Sequence, residues 1–177
     1  MLESAEDNQK WGRYTFLGYD PRLEITCTNG KLTIKNGTSV TMETKHPGEY
    51  IRQILDENKS PKIEGFPTFT GGLVGYFSYD YMKYAEPSLV LDAEDKEGFK
   101  DVDLMLFDKV IAFDHFRQKI ILIVNIRCED LKTEYHRAEL ELSTMKQLIQ
   151  NGEMAEEIPG RCTSEFRALF DQKQYCS

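Results

Sequence analysis

Two Asn-Gly pairs, Asn29-Gly30 and Asn36-Gly37, sit close together between segments rich in β-branched residues. A two-residue hairpin turn of type I′ needs positive φ at both central residues, and Asn-Gly accepts this most readily. The spacing therefore predicts a β-meander of Arg22 to Thr28, Lys31 to Lys35 and Thr38 to Thr44. Leu23, Ile25 and Cys27 alternate with polar residues, as do Leu32 and Ile34, so one face is buried and the other wet. A sheet of this kind needs a cover for its apolar face.

Covering elements follow in the sequence. Pro47 can start a helix, and Tyr50, Ile51, Ile54 and Leu55 give it an apolar stripe that fades near Lys59, before Ser60-Pro61 ends it. The stretch from Ala85 to Asp103 is rich in Glu, Asp and Lys and reads as an exposed loop. Leu104 to Asp114 and Lys119 to Arg127 then read as a second hairpin, turning near Phe116 to Gln118. Both strands are nearly continuous in apolar residues, which predicts central strands covered on both faces. Leu131, Tyr135, Ala138, Leu142, Met145 and Ile149 predict one amphipathic helix of roughly 22 residues, ~33 Å long. The fold class expected is α+β, an antiparallel sheet with a β-meander and packed helices. After Asn151-Gly152 the apolar pattern lapses, giving a domain over residues 1–152 and a linker over 153–177. Phe166, Leu169 and Phe170 read as the start of a new element, so the chain is expected to be cut at Ser177 rather than finished.

Composition narrows the function. A formal charge of −8, with no clustered basic face, argues against nucleic acid. Cys27, Cys128, Cys162 and Cys176 show no CxxC spacing, and His46, His115 and His136 show no metal-binding spacing. The longest apolar run, Ile120 to Val124, is a strand's length, so no membrane span is expected. The polar, acidic first residues do not read as a signal peptide, which favours a cytoplasmic protein.

The chemistry-bearing motifs are few. Thr70-Gly71-Gly72-Leu73-Val74-Gly75-Tyr76-Phe77 lacks the Gly-Lys-Ser/Thr ending of a phosphate loop and the GxGxxG dinucleotide fingerprint. Glycines in a strand instead allow a backbone or ring to approach closely. Asp80 between Tyr79 and Tyr81, or Asp114 beside His115, could be cast as acid–base pairs, but strand neighbours point to opposite faces. No catalytic constellation emerges. A bound amino acid needs a carboxylate for its ammonium, donors for its carboxylate, and an acceptor for a ring N–H. Glu3, Arg13 and Ser4 carry those groups.

LESAEDNQKWGRYTFLGYDP, then PTFTGGLVGYFSYDYMKYAEP and DLMLFDKVIAFDHFRQKIILI, together cover most of the chain. This string resembles the N-terminal domain of anthranilate synthase component I, in the chorismate-using component I family that also includes aminodeoxychorismate synthase. The resemblance implies one part of a two-sheet β/α/α/β sandwich, completed by a C-terminal chorismate-binding domain that holds the catalytic residues and Mg²⁺. These 177 residues are then expected to be catalytically inactive alone. The family's leucine-leucine-glutamate-serine motif contributes to a feedback tryptophan site and appears here as Met1-Leu2-Glu3-Ser4. Carried over by position, Ser4 is the first candidate for an L-tryptophan contact, with Leu2 and Glu3 beside it and Arg13 and Tyr14 in the GRY segment. The pocket's remaining wall belongs to the C-terminal domain, so the tryptophan site is expected to be partial. Expected partners are that domain and the glutamine amidotransferase component II, with self-association through uncovered strand edges.

Overall fold

The computed structural model describes residues 1–3, 12–91, 94–153, 160–165, 167–169 and 171–176. Four strands precede the first helix: β1 (Tyr14–Leu17), β2 (Leu23–Thr28), β3 (Lys31–Asn36) and β4 (Thr38–Glu43). Helix α1 (Pro47–Glu57) leads to β5 (Gly72–Phe77) and a 3-10 helix, Tyr79–Tyr84. Then come β6 (Val102–Phe107), β7 (Lys109–Asp114), β8 (Lys119–Val124), α2 (Leu131–Asn151) and the short α3 (Gln172–Cys176). The strands form two antiparallel sheets, ordered β4-β3-β2-β6-β5 and β1-β7-β8. The α+β class and the meander hold.

The two Asn-Gly corners differ. At the first, Thr28 faces Lys31, and Asn29 and Gly30 take φ of 49° and 81°, the expected type I′ turn. At the second, Asn36 itself pairs with Thr38 and only Gly37 takes positive φ, at 69°. The expected two-residue turn is therefore not formed there. The reason lies in register: a two-residue loop would set Thr41 opposite Leu32, whereas the observed pairing sets Met42 there and keeps apolar residues on the covered face.

The expected single strand from Leu104 to Asp114 is two strands. It breaks at Asp108, so that β6 lies between β2 and β5 while β7 lies between β1 and β8. Asn125 explains the break. Its backbone N–H donates to the Asp108 carbonyl at 2.8 Å, and its side-chain amide donates to the same carbonyl at 3.1 Å and to Thr70 at 2.7 Å. The chain thus leaves one sheet and enters the other across one anchored residue. Cover on both faces holds for β7, whose Val110, Ile111 and Ala112 are buried, and fails for β6, where Met105 is exposed, and for β8, an edge strand with Ile120 exposed.

The core sits between the five-stranded sheet and α1. Leu23 faces Leu106, Ile25 faces Leu104 and Cys27 faces Val102, with Leu32 beside them and Ile51 and Ile54 of α1 packed above. Burying each aliphatic side chain contributes about 1.5–3 kcal/mol before ordering costs. The expected loop from Ala85 to Asp103 ends earlier than its charge suggests, because Val102 is fully buried and Asp101 is only 4% exposed. That carboxylate accepts from Asn29 N–H at 2.6 Å, Tyr84 O–H at 2.7 Å and Lys83 Nζ at 2.7 Å. Burial alone would raise its pKa, yet the donation from Lys83, Tyr84 and Asn29 outweighs it and leaves the carboxyl below its usual range. Asp101 so pins the first hairpin turn and the 3-10 helix to the start of β6.

Helix α2 spans 21 residues and starts on an Asp130 cap that accepts from Thr133 N–H at 3.3 Å. It lies against β8 and buries Ala138 and Met145, while Leu131, Tyr135 and Ile149 at the ends of its stripe are exposed. Expected residues Phe166 and Phe170 lie outside the described residues, and Leu169 is exposed. Gly75 confirms the close-approach reading of the strand glycines. It takes φ of 152°, and a Cβ there would land on the carbonyl oxygen of Asp103 across the β5–β6 ladder. Gly75→Ala is therefore expected to lose at least about 2 kcal/mol in a denaturant titration. Gly37→Asn, with open space around it, is expected to lose less than about 1 kcal/mol.

Candidate functional site

The sequence-derived candidates meet at the outer edge of the three-stranded sheet. Leu2 forms an antiparallel bridge with Phe16, its N–H donating to the Phe16 carbonyl at 2.8 Å and its carbonyl accepting the reverse bond at 2.8 Å. This brings the Leu2–Glu3 arm beside β1, two positions from Tyr14. Leu2 and Glu3 are both exposed. Ser4 lies outside the described residues.

Arg13 is held from below by Asp114, which the sequence reading weighed only as a neighbour of His115. Its Nε donates to Asp114 Oδ1 at 2.9 Å and its terminal nitrogen to Oδ2 at 2.6 Å, a bidentate pair. The Asp114 side chain is 1% exposed and that of Arg13 26%, so the carboxylate is interior and the guanidinium looks outward. The guanidinium carbon also lies 4.9 Å from the Tyr14 ring centroid and 5.6 Å from that of Phe116. Tyr14 stacks on Phe16 at 5.7 Å, and Phe16 meets Phe69 edge-on at 5.6 Å. The result is a cation set among aromatic rings next to an exposed backbone arm.

Asp114 and His115 do not form a dyad. Asp114 binds Arg13 and accepts from Arg117 N–H at 3.1 Å, whereas His115 Nε2 meets the buried Thr15 hydroxyl at 2.7 Å. One signal could have found Asp114: a lone acid ending the apolar run of β7 needs a cationic partner if it is buried. The Arg13 bonds, helped by Arg117 N–H, hold its carboxyl at about 2 against an ordinary value of 3.8. Among the described residues no three His, Cys, Asp or Glu side chains converge as metal ligands, and no helix is long and apolar enough to cross a membrane.

The arrangement can orient an anionic or aromatic ligand group, and it offers no paired acid and base for bond cleavage. Comparison with known proteins bears on what it serves. A family model described as chorismate binding enzyme matches residues 2–177. The chain belongs to the chorismate-binding enzyme family. Within that family it is 37% identical to anthranilate synthase component 1 of Acinetobacter calcoaceticus over 84% of this chain and 31% of that protein. It is 32% identical to the Pseudomonas putida protein of the same name, over 99% of this chain and 37% of that one. It is also 28% identical to aminodeoxychorismate synthase component 1 of Bacillus subtilis, over 99% of this chain and 38% of that one. In fold, it is similar to anthranilate synthase component I from Streptococcus pneumoniae, with a TM-score of 0.57 at 24% identity, over 82% of this chain and 31% of that one. The resemblance read from the GRYTFLG and GGLVGYFSYD segments therefore holds. The chain spans about a third of the length of the curated relatives it matches.

Asp114→Asn tests the clamp. A group whose folded pKa is depressed contributes stability above its unfolded value and loses it as pH falls toward the folded value. The native chain should lose stability steeply between about pH 4 and pH 2, and the variant should show a shallower dependence there, by circular dichroism. At neutral pH the variant should be weaker by about 2 kcal/mol, the scale of a hydrogen bond to a charged group.

Proposed function

We propose that the chain is the N-terminal regulatory portion of anthranilate synthase component I, which contributes part of a feedback tryptophan site and no catalytic residue. The observation that carries this reading is the Leu2–Phe16 bridge, which sets the Leu2–Glu3 arm beside Tyr14 and the clamped Arg13. Arg13 keeps donors facing outward for a ligand carboxylate, the Glu3 carboxylate suits an ammonium, and Ser4 follows next in sequence with its hydroxyl. The relatives at 37% and 32% identity support the anthranilate branch. The Bacillus subtilis relative leaves aminodeoxychorismate synthase component I as the alternative, with the same corner holding tryptophan as a structural ligand. In either case the chorismate chemistry and Mg²⁺ belong to a C-terminal chorismate-binding domain beyond these residues.

Tryptophan regulates, on this reading, by binding one arrangement of the two domains better than the other, which biases the enzyme away from its chorismate-competent state. A second reading makes the chain chiefly a structural half that docks a glutamine amidotransferase. It is favoured by an exposed apolar patch at the β5 edge, where Phe77, Tyr79, Met82 and Phe99 are all uncovered. Titration of tryptophan into the chain joined to its C-terminal domain, with and without Ser4→Phe, separates the two. The regulatory reading expects heat of binding and inhibition of anthranilate formation, both weakened at least about ten-fold by the substitution. Inhibition unchanged by Ser4→Phe would overturn it, and no tryptophan heat together with tight amidotransferase binding would favour the structural half.

A further inference from the structure

The chain holds three Asn-Gly pairs, beginning at Asn29, Asn36 and Asn151. Beyond shaping turns, this dipeptide carries a reactivity of its own. Glycine has no side chain to shield its backbone nitrogen from the amide of the preceding asparagine, and asparagine is a thermolabile residue. The fold treats the three pairs differently.

Asn29-Gly30 is held on every side. Asn29 N–H donates to Asp101 Oδ2 at 2.6 Å, and its Oδ1 accepts from Lys83 Nζ at 2.8 Å. Gly30 N–H, the group whose nitrogen would attack, donates to the Tyr84 hydroxyl at 2.6 Å, and the Gly30 carbonyl accepts from Thr44 N–H at 2.8 Å. Burial raises the Tyr84 pKa, so this hydroxyl stays protonated and holds the N–H without acting as a base. At Asn151-Gly152 the glycine N–H is likewise taken, by the Leu148 carbonyl at 2.9 Å where α2 ends.

Asn36-Gly37 has none of these restraints. Asn36 is exposed, and its side-chain amide has no hydrogen-bond partner among the described residues. Gly37 lies between β3 and β4 with open space around it, and its N–H makes no turn or loop hydrogen bond among the described residues. Strand β4 is the edge of its sheet and exposed along nearly all its length, so this corner opens at little cost.

We propose that Asn36 is a site of spontaneous covalent modification, deamidation through a succinimide. The Gly37 nitrogen bonds to the Asn36 side-chain carbonyl carbon, the bond from that carbon to the amide nitrogen breaks, and ammonia leaves with the Gly37 amide proton. Water then opens the ring at one of its two carbonyls, giving aspartate or isoaspartate. Either product sets a new carboxylate at the corner. Isoaspartate also routes the main chain through the side-chain methylene, which is incompatible with the Asn36–Thr38 pairing.

The test incubates the folded chain in mildly alkaline buffer, digests samples with trypsin and quantifies the products by liquid chromatography and mass spectrometry. Peptides Leu23–Lys31 and Asn36–Lys45 report the two hairpin corners separately. Asn36 is expected to convert at least about ten-fold faster than Asn29, and faster than Asn151. In denaturant the rates at Asn29 and Asn36 should converge, since the two dipeptides are the same and only the fold distinguishes them. Lys83→Met and Tyr84→Phe should each speed conversion at Asn29 in the folded chain and leave Asn36 unchanged. The folded-against-denatured comparison needs no substitution, so it decides the matter should either variant lose its fold. Conversion at Asn29 as fast as at Asn36 in the folded chain would overturn the proposal. So would a rate ratio unaltered by denaturant, or no acceleration at Asn29 in either folded variant.

Discussion

One anchored peptide organises this chain: the Asp108 carbonyl, held by both the backbone and the side chain of Asn125. It lets one extended run serve as an interior strand of two sheets, as β6 in the first and β7 in the second. An unpaired carbonyl at such a crossing would cost about 1–3 kcal/mol if buried, and Asn125 removes that penalty while tying in Thr70 before β5. The candidate site depends on this crossing. Because β6 is locked in the core through Leu104 and Leu106, β7 leaves Asp108 in a fixed direction and delivers Asp114 under β1. Asp114 then fixes Arg13, and β1 offers Phe16 to the Leu2 arm.

Much of this was legible because local chemistry and global fold agree. Asn29-Gly30 demanded a tight turn and formed one, and the Leu23, Ile25 and Cys27 alternation matches the buried face found. Pro47 and the Ile51–Ile54 pair marked α1 correctly. The readings that failed did so where a distant partner overrode the local signal. Nothing within Leu104 to Asp114 announces a break at Asp108, since its cause is an amide 17 positions away. The burial of Asp101 was hidden by the charged loop before it, because only donors from the first hairpin turn and the 3-10 helix make an interior carboxylate tolerable. The second Asn-Gly pair yielded to register, since keeping Met42 opposite Leu32 mattered more than an ideal turn.

The same contrast runs through the site. The GRY and LES segments marked Arg13, Tyr14, Leu2 and Glu3, and the structure brings these to one corner. Their family meaning came from resemblance, whereas the reason Arg13 stays in place came only from Asp114, about a hundred residues later. Asp114-His115 was set aside as a dyad because strand neighbours face opposite ways, and the fold does send one to Arg13 and the other to Thr15. The corner carries groups suited to orient and bind a ligand, which is what the proposed regulatory role asks of it.

The central claim is that tryptophan meets this chain at the Leu2–Arg13 corner. Mapping the amide chemical shifts of the ¹⁵N-labelled chain during titration with L-tryptophan tests it most directly. The account predicts saturable shifts concentrated at Leu2, Glu3, Ser4, Arg13 and Tyr14, with the rest of both sheets still. Shifts confined to other elements, or a spectrum unmoved at saturating tryptophan in both this chain and the chain joined to its C-terminal domain, would contradict it.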